Sequence, residues 1–587
     1  MTDHVLRRIP SRWDMAAFEF KAALFRARRS LVEAASRQTV RKYPQADNLI
    51  REPILSCIAS PLWNALSGPK EYALTAGKIQ NLRMAVRAID GIEVPAGEIF
   101  SFWRQIGRTT RARGYVNGRE LREGCLIKSV GGGLCQLSNG LYEAALDAGL
   151  EIVERHAHSR VVPGSRAARE RDATVFWNYV DLRFCSPRPF RIEARLTRGM
   201  LEVAIRGARK EIAASVDVPA TVRETANDCT SCNETDCHLH DPEVKAPAIV
   251  GRPTTWLVDA CWPEFATLLA ARAGKDDALF LPQRLRKSDR YAWPQHFCGS
   301  ETRATFTALR RALALRRAPA QGRALQSLML RYDAALAKRY ARGLSYLHTH
   351  AVVSQSLLPH LWRAGALAGR SFEVLMERSP ISHLQATLDE AAARYPESPT
   401  LGDFRAPEGL AEAEEEALAE AMRIHTPHRE LAALYPAKTE LLDWMLPCIS
   451  KKSAPGGNTI LFPASALGRK GAYIVREAMQ GLDAELVVTG RAREHDGDFW
   501  KGVRVRPTEN GAWPVEVAAV VLPAIIEHQP RALLRAIAMG LPVIATEACG
   551  LGCMPGVTTV PAYDASALRN ALTAALFRES DVERVAA

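Results

Sequence analysis

The sequence has no long apolar run. No stretch approaches the roughly 20 apolar residues that span a bilayer, so a membrane-crossing helix is not expected. The N-terminal residues 1–30 also lack the apolar segment of an export signal, which points to the cytoplasm. Cysteine is sparse, with 12 among 587 residues. That is too few for a disulfide-built scaffold and suits a reducing compartment. Long runs of lysine or arginine are absent as well. The formal charge of +12, from 77 basic and 65 acidic residues, therefore reads as dispersed, and nucleic acid is not an expected partner. Residues 13–36 read as a basic amphipathic helix, expected to dock on the protein itself, with peripheral membrane contact as the other use of such a face.

What is present is an ordinary globular balance, 47% hydrophobic and 24% charged, in a length that predicts three or four folding units. Residues 1–70 read as a helical N-terminal region broken at Pro53 and Pro61. From 72 to 207 the texture is mixed α+β, with β-rich runs at 182–184, 190–196 and 201–206. One helix runs from Cys135 to about residue 148 and stops at Gly149. Residues 208–247 form a polar linker. Beyond it the apolar runs TWLVDA (255–260), TILFP (459–463), AELVVT (484–489), VAAVVLP (517–523) and PVIAT (542–546) alternate with helical patterns. Such alternation predicts parallel sheets. The expected architecture is an α/β multidomain chain: a mixed α+β domain, then Rossmann-type lobes at 248–452 and 453–577, then a tail at 578–587.

Three glycines, Gly131, Gly132 and Gly133, precede Leu134, Cys135, Gln136 and an apolar-periodic helix. Consecutive glycines reach backbone conformations closed to other residues. A cysteine in the first turn of a helix meets the positive end of the dipole, which favours thiolate. A nucleophile of this kind needs a base and an orienting carboxylate. His156 or His158 supplies the first, with His158 preferred, and Asp172 or Asp181 the second, with Asp172 preferred. A tight turn with a packed cysteine is the alternative.

These motifs, with PAGEIFSF at 95–102, Gly114-Tyr115, Leu141-Tyr142, ERH at 154–156, DATV at 172–175 and DLRF at 181–184, make residues 83–207 resemble the VanW family. That family is named for an accessory gene of vancomycin-resistance clusters. The resemblance identifies the domain, implies a cell-envelope setting and assigns no chemistry.

The linker packs Cys229, Cys232, Cys237, His238 and His240 into twelve residues. A CxxC pair grips one metal from a tight turn, and Cys237 with His240 completes a four-ligand set for structural zinc. The same set suits an iron–sulfur cluster. Its expected role is to fix the joint between halves.

In the C-terminal part, residues 527–546 (EHQPRALLRAIAMGLPVIAT) and Arg469-Lys470-Gly471 resemble the donor segment and basic turn of family-4-type glycosyltransferases of the GT-B fold. The resemblance implies a nucleotide-sugar donor whose phosphate meets Arg469 and Lys470. Two glutamates frame the donor in that family. The first matches Glu527, and Arg535 stands at the second position. Arginine has no acceptor for ribose hydroxyls. Each lost charge-assisted bond is worth about 1.5–3 kcal/mol, or tenfold and more in affinity. His348, His350, His360, Asp403 and Arg405 are weaker candidates in the first lobe, and the Gly550-Leu-Gly552 turn reads as a ligand loop between Cys549 and Cys553.

Three readings follow. One is a glycosyltransferase-like protein handling a glycan or other small-molecule substrate in cell-envelope or polysaccharide metabolism. Another is a non-catalytic binding or assembly protein with a degenerate lobe. The third is a cysteine-dependent VanW activity.

Overall fold

The computed structural model describes residues 12–35, 40–63, 69–122, 125–157, 160–161, 171–208, 224–225, 253–284, 289–294, 298–319, 322–449, 454–490, 494, 499–508 and 513–585. The chain forms two compact units. The first comprises Met1–Arg252 with Ser345–Thr349 and Ala368–Arg370; the second comprises Pro253–Leu344, His350–Leu367 and Ser371–Ala587.

In the first unit an antiparallel sheet orders the strands Ile54–Pro61, Met200–Gly207, Phe190–Leu196 and Ile92–Val94. Arg12–Ala35 is helical, as expected of this region, but Ile54–Pro61 is a strand where the sequence suggested helix. Its residues Cys57 and Ile58 lie opposite Ala204 and Val203. Cross-strand pairing to a distant segment decides this conformation, and local pattern does not reveal it.

The helix Cys135–Asp147 packs on that sheet. Its Leu137, Leu141 and Ala144 are buried with Val203 and Ile205. A side chain at Gly140 would meet Val203 at 3.2 Å, so the small residue sets the helix–sheet distance. Burying each leucine contributes about 1.5–3 kcal/mol.

The glycine turn before this helix is held from behind by Asn81, which is buried. Its Nδ2 donates to the carbonyls of Val116 and Gly132 at 3.0 and 2.9 Å, and its Oδ1 accepts from Val116 N at 2.9 Å. Gly131 and Gly133 have φ of 86° and 93°. At Gly132 a Cβ would lie 2.6 Å from the Gly118 carbonyl carbon, so backbone runs directly against backbone.

The second unit contains two parallel sheets among the described residues. The first orders the strands Ser300–Arg303, Ala278–Leu281, Thr254–Leu257, His350–Ser354, Ser371–Leu375, Arg423–Thr426 and Thr439–Leu441. The second orders Val505–Pro507, Glu485–Val488, Ala454–Phe462, Glu516–Leu522, Val543–Ala545 and Val557–Thr559. Both begin 3-2-1-4-5-6 in chain order, the doubly wound Rossmann arrangement. Successive residues of one strand serve opposite faces. Trp256, Leu279 and Val352 join one core cluster, while Leu257, Phe280 and Val353 join another. Burial on both faces is why these strands read as continuous apolar runs.

Asn81→Ala removes three hydrogen bonds at the glycine turn. It should lower unfolding free energy by about 2–4 kcal/mol, read by denaturant unfolding; a variant as stable as the parent would show that the turn holds itself.

Candidate functional site

Cys135 opens its helix and is half-buried. Its Sγ lies 3.7 Å from Thr174 Oγ1. The segment bearing Thr174 is clamped to the same helix. Ser138 Oγ donates to Ala173 O at 2.6 Å, and Asn139 Oδ1 accepts from Ala173 N at 2.8 Å. Asp172, fully buried, directly precedes that clamp, and Arg155 Nε donates to its carbonyl at 2.7 Å. The segment 172–174 and Cys135 thus meet at the helix N-terminus.

Thr174 N donates to His156 O at 2.8 Å, which brings the His156 backbone alongside. The His156 ring contacts Glu154 Oε1 at 3.1 Å. Burial alone would raise the Glu154 carboxyl, but His156, Arg29 and Arg183 outweigh it and hold it down to about 2. His158 lies outside the described residues. Asp181, the other candidate carboxylate, accepts from Ser101 Oγ at 2.6 Å, Trp103 N at 3.1 Å and Arg183 Nε at 2.8 Å. Its bonds knit the turn at residues 101–103.

Sequence reasoning passed over Lys78. A Cβ at Gly133 would strike Lys78 Cγ at 2.3 Å, so the lysine stem lies against the glycine turn. Burial lowers its ammonium to about 8. The signal was a lysine between the buried Gly77 and Ile79 of the helix Pro69–Ile89.

The expected metal ligands Cys229, Cys232, Cys237 and His240 lie outside the described residues. Among the described residues no group of three or more His, Cys, Asp or Glu is placed to hold a metal ion.

In doubly wound folds ligands bind beyond the carboxyl ends of the strands. In the second unit these ends carry Asp259, Gln355, Glu377 and Arg378 in the first lobe and the 468–471 turn in the second. Gln355 Oε1 accepts from Glu377 N and Arg378 N, both at 3.0 Å. Arg378 is held by the buried Glu414 at 2.8 Å. Glu377 Oε1 is buried without a hydrogen-bond partner. Burial, then the nearby Asp259, raises this carboxyl to about 8. Asp259 itself pairs with the buried Arg311 at 2.8 Å, and Arg311 with Asp333 at 3.2 Å. Glu377, Arg378 and this triad were not singled out in the sequence; the signal was single polar residues directly after apolar strands.

Lys470 Nζ meets Glu527 Oε2 at 2.7 Å. Arg469 is half-buried, and desolvation lowers its guanidinium despite Asp403, Glu494 and Glu527 nearby. Its carbonyl accepts from Ile525 N and Ile526 N at 2.9 and 3.1 Å, tying the basic turn to the loop before Glu527. Gly471 has φ of 82°, and a Cβ there would lie 2.1 Å from Pro523 O. The glycine of this turn is therefore a packing requirement.

The lobes also touch through histidine. His428 Nε2 donates to the carbonyls of Glu527 at 3.0 Å and Ala548 at 3.2 Å, while its Nδ1 accepts from Leu431 N at 3.3 Å. His428 is consequently neutral with its proton on Nε2. Its ring fills the space beside Gly550, where a Cβ would lie 2.3 Å away. The Gly550-Leu-Gly552 turn thus receives protein side chains from His428 and Arg429 where the sequence suggested a ligand. His528 Nε2 accepts from Ser379 N at 3.2 Å, and burial drives its pKa well below the usual range.

Arg535 is exposed, with its guanidinium 4.6 Å above the Trp513 ring. His350 belongs to a structural cluster in which Glu373 contacts Arg272, His350 and His425. His348 receives Ser345 N at 3.2 Å, and Arg405 pairs with Asp389. His360 Nε2 is buried without a partner, and burial lowers that ring to about 4. Cys549 is buried and Cys553 exposed.

With this geometry in view, the family profile described as VanW like protein matches residues 77–206. Over 127 residues the chain is 38% identical to the uncharacterized protein YoaR of Bacillus subtilis, covering 21% of this chain and 41% of that one. Over 111 residues it is 34% identical to the vancomycin B-type resistance protein VanW of Enterococcus faecalis, covering 18% and 40%. The chain spans about two fifths of the length of these curated relatives. Among solved structures it is similar to the lipopolysaccharide outer core galactosyltransferase WaaB, at 12% identity and a TM-score of 0.33, over 56% of this chain and 91% of that one. It is also similar to a sucrose-phosphate synthase of Thermosynechococcus elongatus, at 16% identity and a TM-score of 0.35, over 55% and 89%. The lobe assignment rests on the strand orders above and not on these likenesses.

Residues 77–206 are a VanW-like domain. The C-terminal part of the chain is a pair of Rossmann-type lobes.

The Glu377 carboxyl tests the first-lobe edge. With its pKa raised from 4.5 to about 8, the folded chain keeps a proton that the unfolded chain releases. The group costs nothing below the ordinary carboxyl range and destabilises the fold as pH rises toward 8. Glu377→Gln should flatten the fall in melting temperature across that window. A slope equal to the parent's would show that Glu377 ionises normally.

Proposed function

We propose that the C-terminal lobes bind a diphosphate-linked sugar and handle a glycan of cell-envelope or polysaccharide metabolism, with the VanW-like domain engaging the same substrate. The observation that carries this reading is the Lys470–Glu527 pair at the carboxyl ends of the second sheet, tied through Arg469 to the loop that begins the 527–546 segment. A diphosphate seated there exchanges one partner of Lys470 for a stronger anion and leaves Glu527 to take a sugar hydroxyl.

Arg535, which the motif resemblance sets at the position of the second donor glutamate, stacks on Trp513 and offers a ribose diol no acceptor. The site should therefore read the diphosphate more than the nucleoside. Calorimetric titration of the full chain tests this. UDP, GDP and inorganic pyrophosphate should bind within about tenfold of one another, since Arg535 offers the ribose of the two nucleotides no charge-assisted bond. Lys470→Ala should weaken all three by at least roughly tenfold. Silence toward all three ligands, or unchanged affinity in Lys470→Ala, would remove the reading.

A second reading concerns the first unit. The proximity of Cys135 Sγ, the helix N-terminus and the clamped segment 172–174 supports a cysteine nucleophile. Such a thiol should be alkylated by iodoacetamide near pH 7 faster than glutathione, and Cys135→Ser should abolish that fast phase. A rate equal to glutathione's would mark Cys135 as a packed residue.

A further inference from the structure

The helices Thr305–Arg317 and Arg323–Gly343 pack against each other as a hairpin on the first lobe. Between Thr305 and Gly343 the sequence carries nine lysines and arginines and one acid, Asp333, for a net +8 out of the chain's +12. Asp333 is buried and paired with Arg311, also buried. The remaining eight basic side chains, Arg310, Arg316, Arg317, Arg323, Arg331, Lys338, Arg339 and Arg342, are all exposed, and none forms an ion pair with a described carboxylate. Two thirds of the net charge is thus concentrated on one hairpin, with Asp403 offsetting part of it near Arg323.

The first helix adds a second feature on the same side. At about 100° per residue, Phe306, Leu309 and Leu313 project over one face together with Arg310, Arg316 and Arg317. These apolar side chains are 73%, 47% and 53% exposed. The buried Ala308 and Arg311 occupy the opposite face. Between the two helices a groove of about 290 Å³ is lined by Phe306, Thr307, Arg310, Arg331, Tyr332 and Ala335, so two guanidinium groups flank an aromatic-walled recess.

We propose that this face rests on an anionic phospholipid surface. Phe306, Leu309 and Leu313 enter the boundary between headgroups and acyl chains, the arginines meet the headgroup charge, and the groove between Arg310 and Arg331 takes a lipid phosphate. Interfacial helices combine these features, an apolar face bordered by cations without compensating acids. A nucleic acid would satisfy the charge but has no apolar layer for Leu309 and Leu313. The arginines were read as dispersed in the sequence because they are spaced along two helices that only the hairpin brings together.

The test is co-sedimentation of the full chain with vesicles of phosphatidylcholine, alone or mixed with phosphatidylglycerol. The chain should pellet with the mixed vesicles, stay in solution with phosphatidylcholine alone, and be released by high salt. Reversing charge in Arg310→Glu, Arg316→Glu and Arg317→Glu together should weaken binding on the order of a hundredfold, from roughly fivefold for each arginine removed. Replacing Phe306, Leu309 and Leu313 together by serine should also release the protein, with lipid composition unchanged. All six side chains are exposed, so melting curves of both variants should match the parent's and confirm that the fold is intact. Failure of the parent to pellet with the mixed vesicles would overturn the proposal. So would full binding by the charge-reversed variant, which would move the contact elsewhere, such as to the exposed Trp13, Phe20 and Leu24 of the helix Arg12–Ala35. Full binding by the serine variant would reduce the face to a general polyanion site and overturn it equally.

Discussion

Lys470 and Glu527 neutralise one another at the carboxyl ends of the second parallel sheet, and the arrangement of the second unit converges on that pair. The turn bearing Lys470 exists because Gly471 carries no side chain where a Cβ would lie 2.1 Å from Pro523 O. The loop bearing Glu527 is pinned twice, by Arg469 O on one side and by His428 across the lobes. A cation presented this way is charged, partly buried and already oriented. An incoming anion therefore meets a prepared partner, without the entropic cost of ordering a flexible lysine.

The first lobe contributes groups of a different character. Glu377 carries a buried, unpartnered oxygen, and its neighbours Asp259 and Asp333 add negative charge that Arg311 offsets. A carboxyl raised to about 8 stays protonated at neutral pH and can donate to a sugar or phosphate oxygen, whereas an ordinary glutamate could only accept. The same unit carries cations at the carboxyl ends of one sheet and a neutral acid at those of the other, a polar lining that would suit a polyhydroxylated anion better than an apolar ligand. The VanW-like domain follows another logic. Its site is built by close backbone approach, with Gly132 against Gly118 and Lys78 against Gly133, and Asn81 fixes the result.

Much of this was legible in the sequence, for identifiable reasons. Strands buried on both faces read as unbroken apolar runs, so TILFP and VAAVVLP marked themselves. The glycine turn and the helix after Cys135 were equally plain. Ile54–Pro61 was not, since its conformation depends on pairing with residues near 200. Glu377 and Arg378 follow an apolar strand as two polar residues among many, and only the sheet's edge distinguishes them. The cysteine–histidine cluster and His158 lie outside the described residues, so their reading stands as the sequence left it. Arg535 was located by motif spacing, but its stacking on Trp513 has no local signature.

The proposed diphosphate site is organised by Lys470. Hydrogen–deuterium exchange of the full chain with and without UDP examines that claim most directly. Protection should appear in the peptides covering residues 468–471 and 527–531 and should vanish in Lys470→Ala. Protection confined to other segments, or none at saturating ligand, would contradict it.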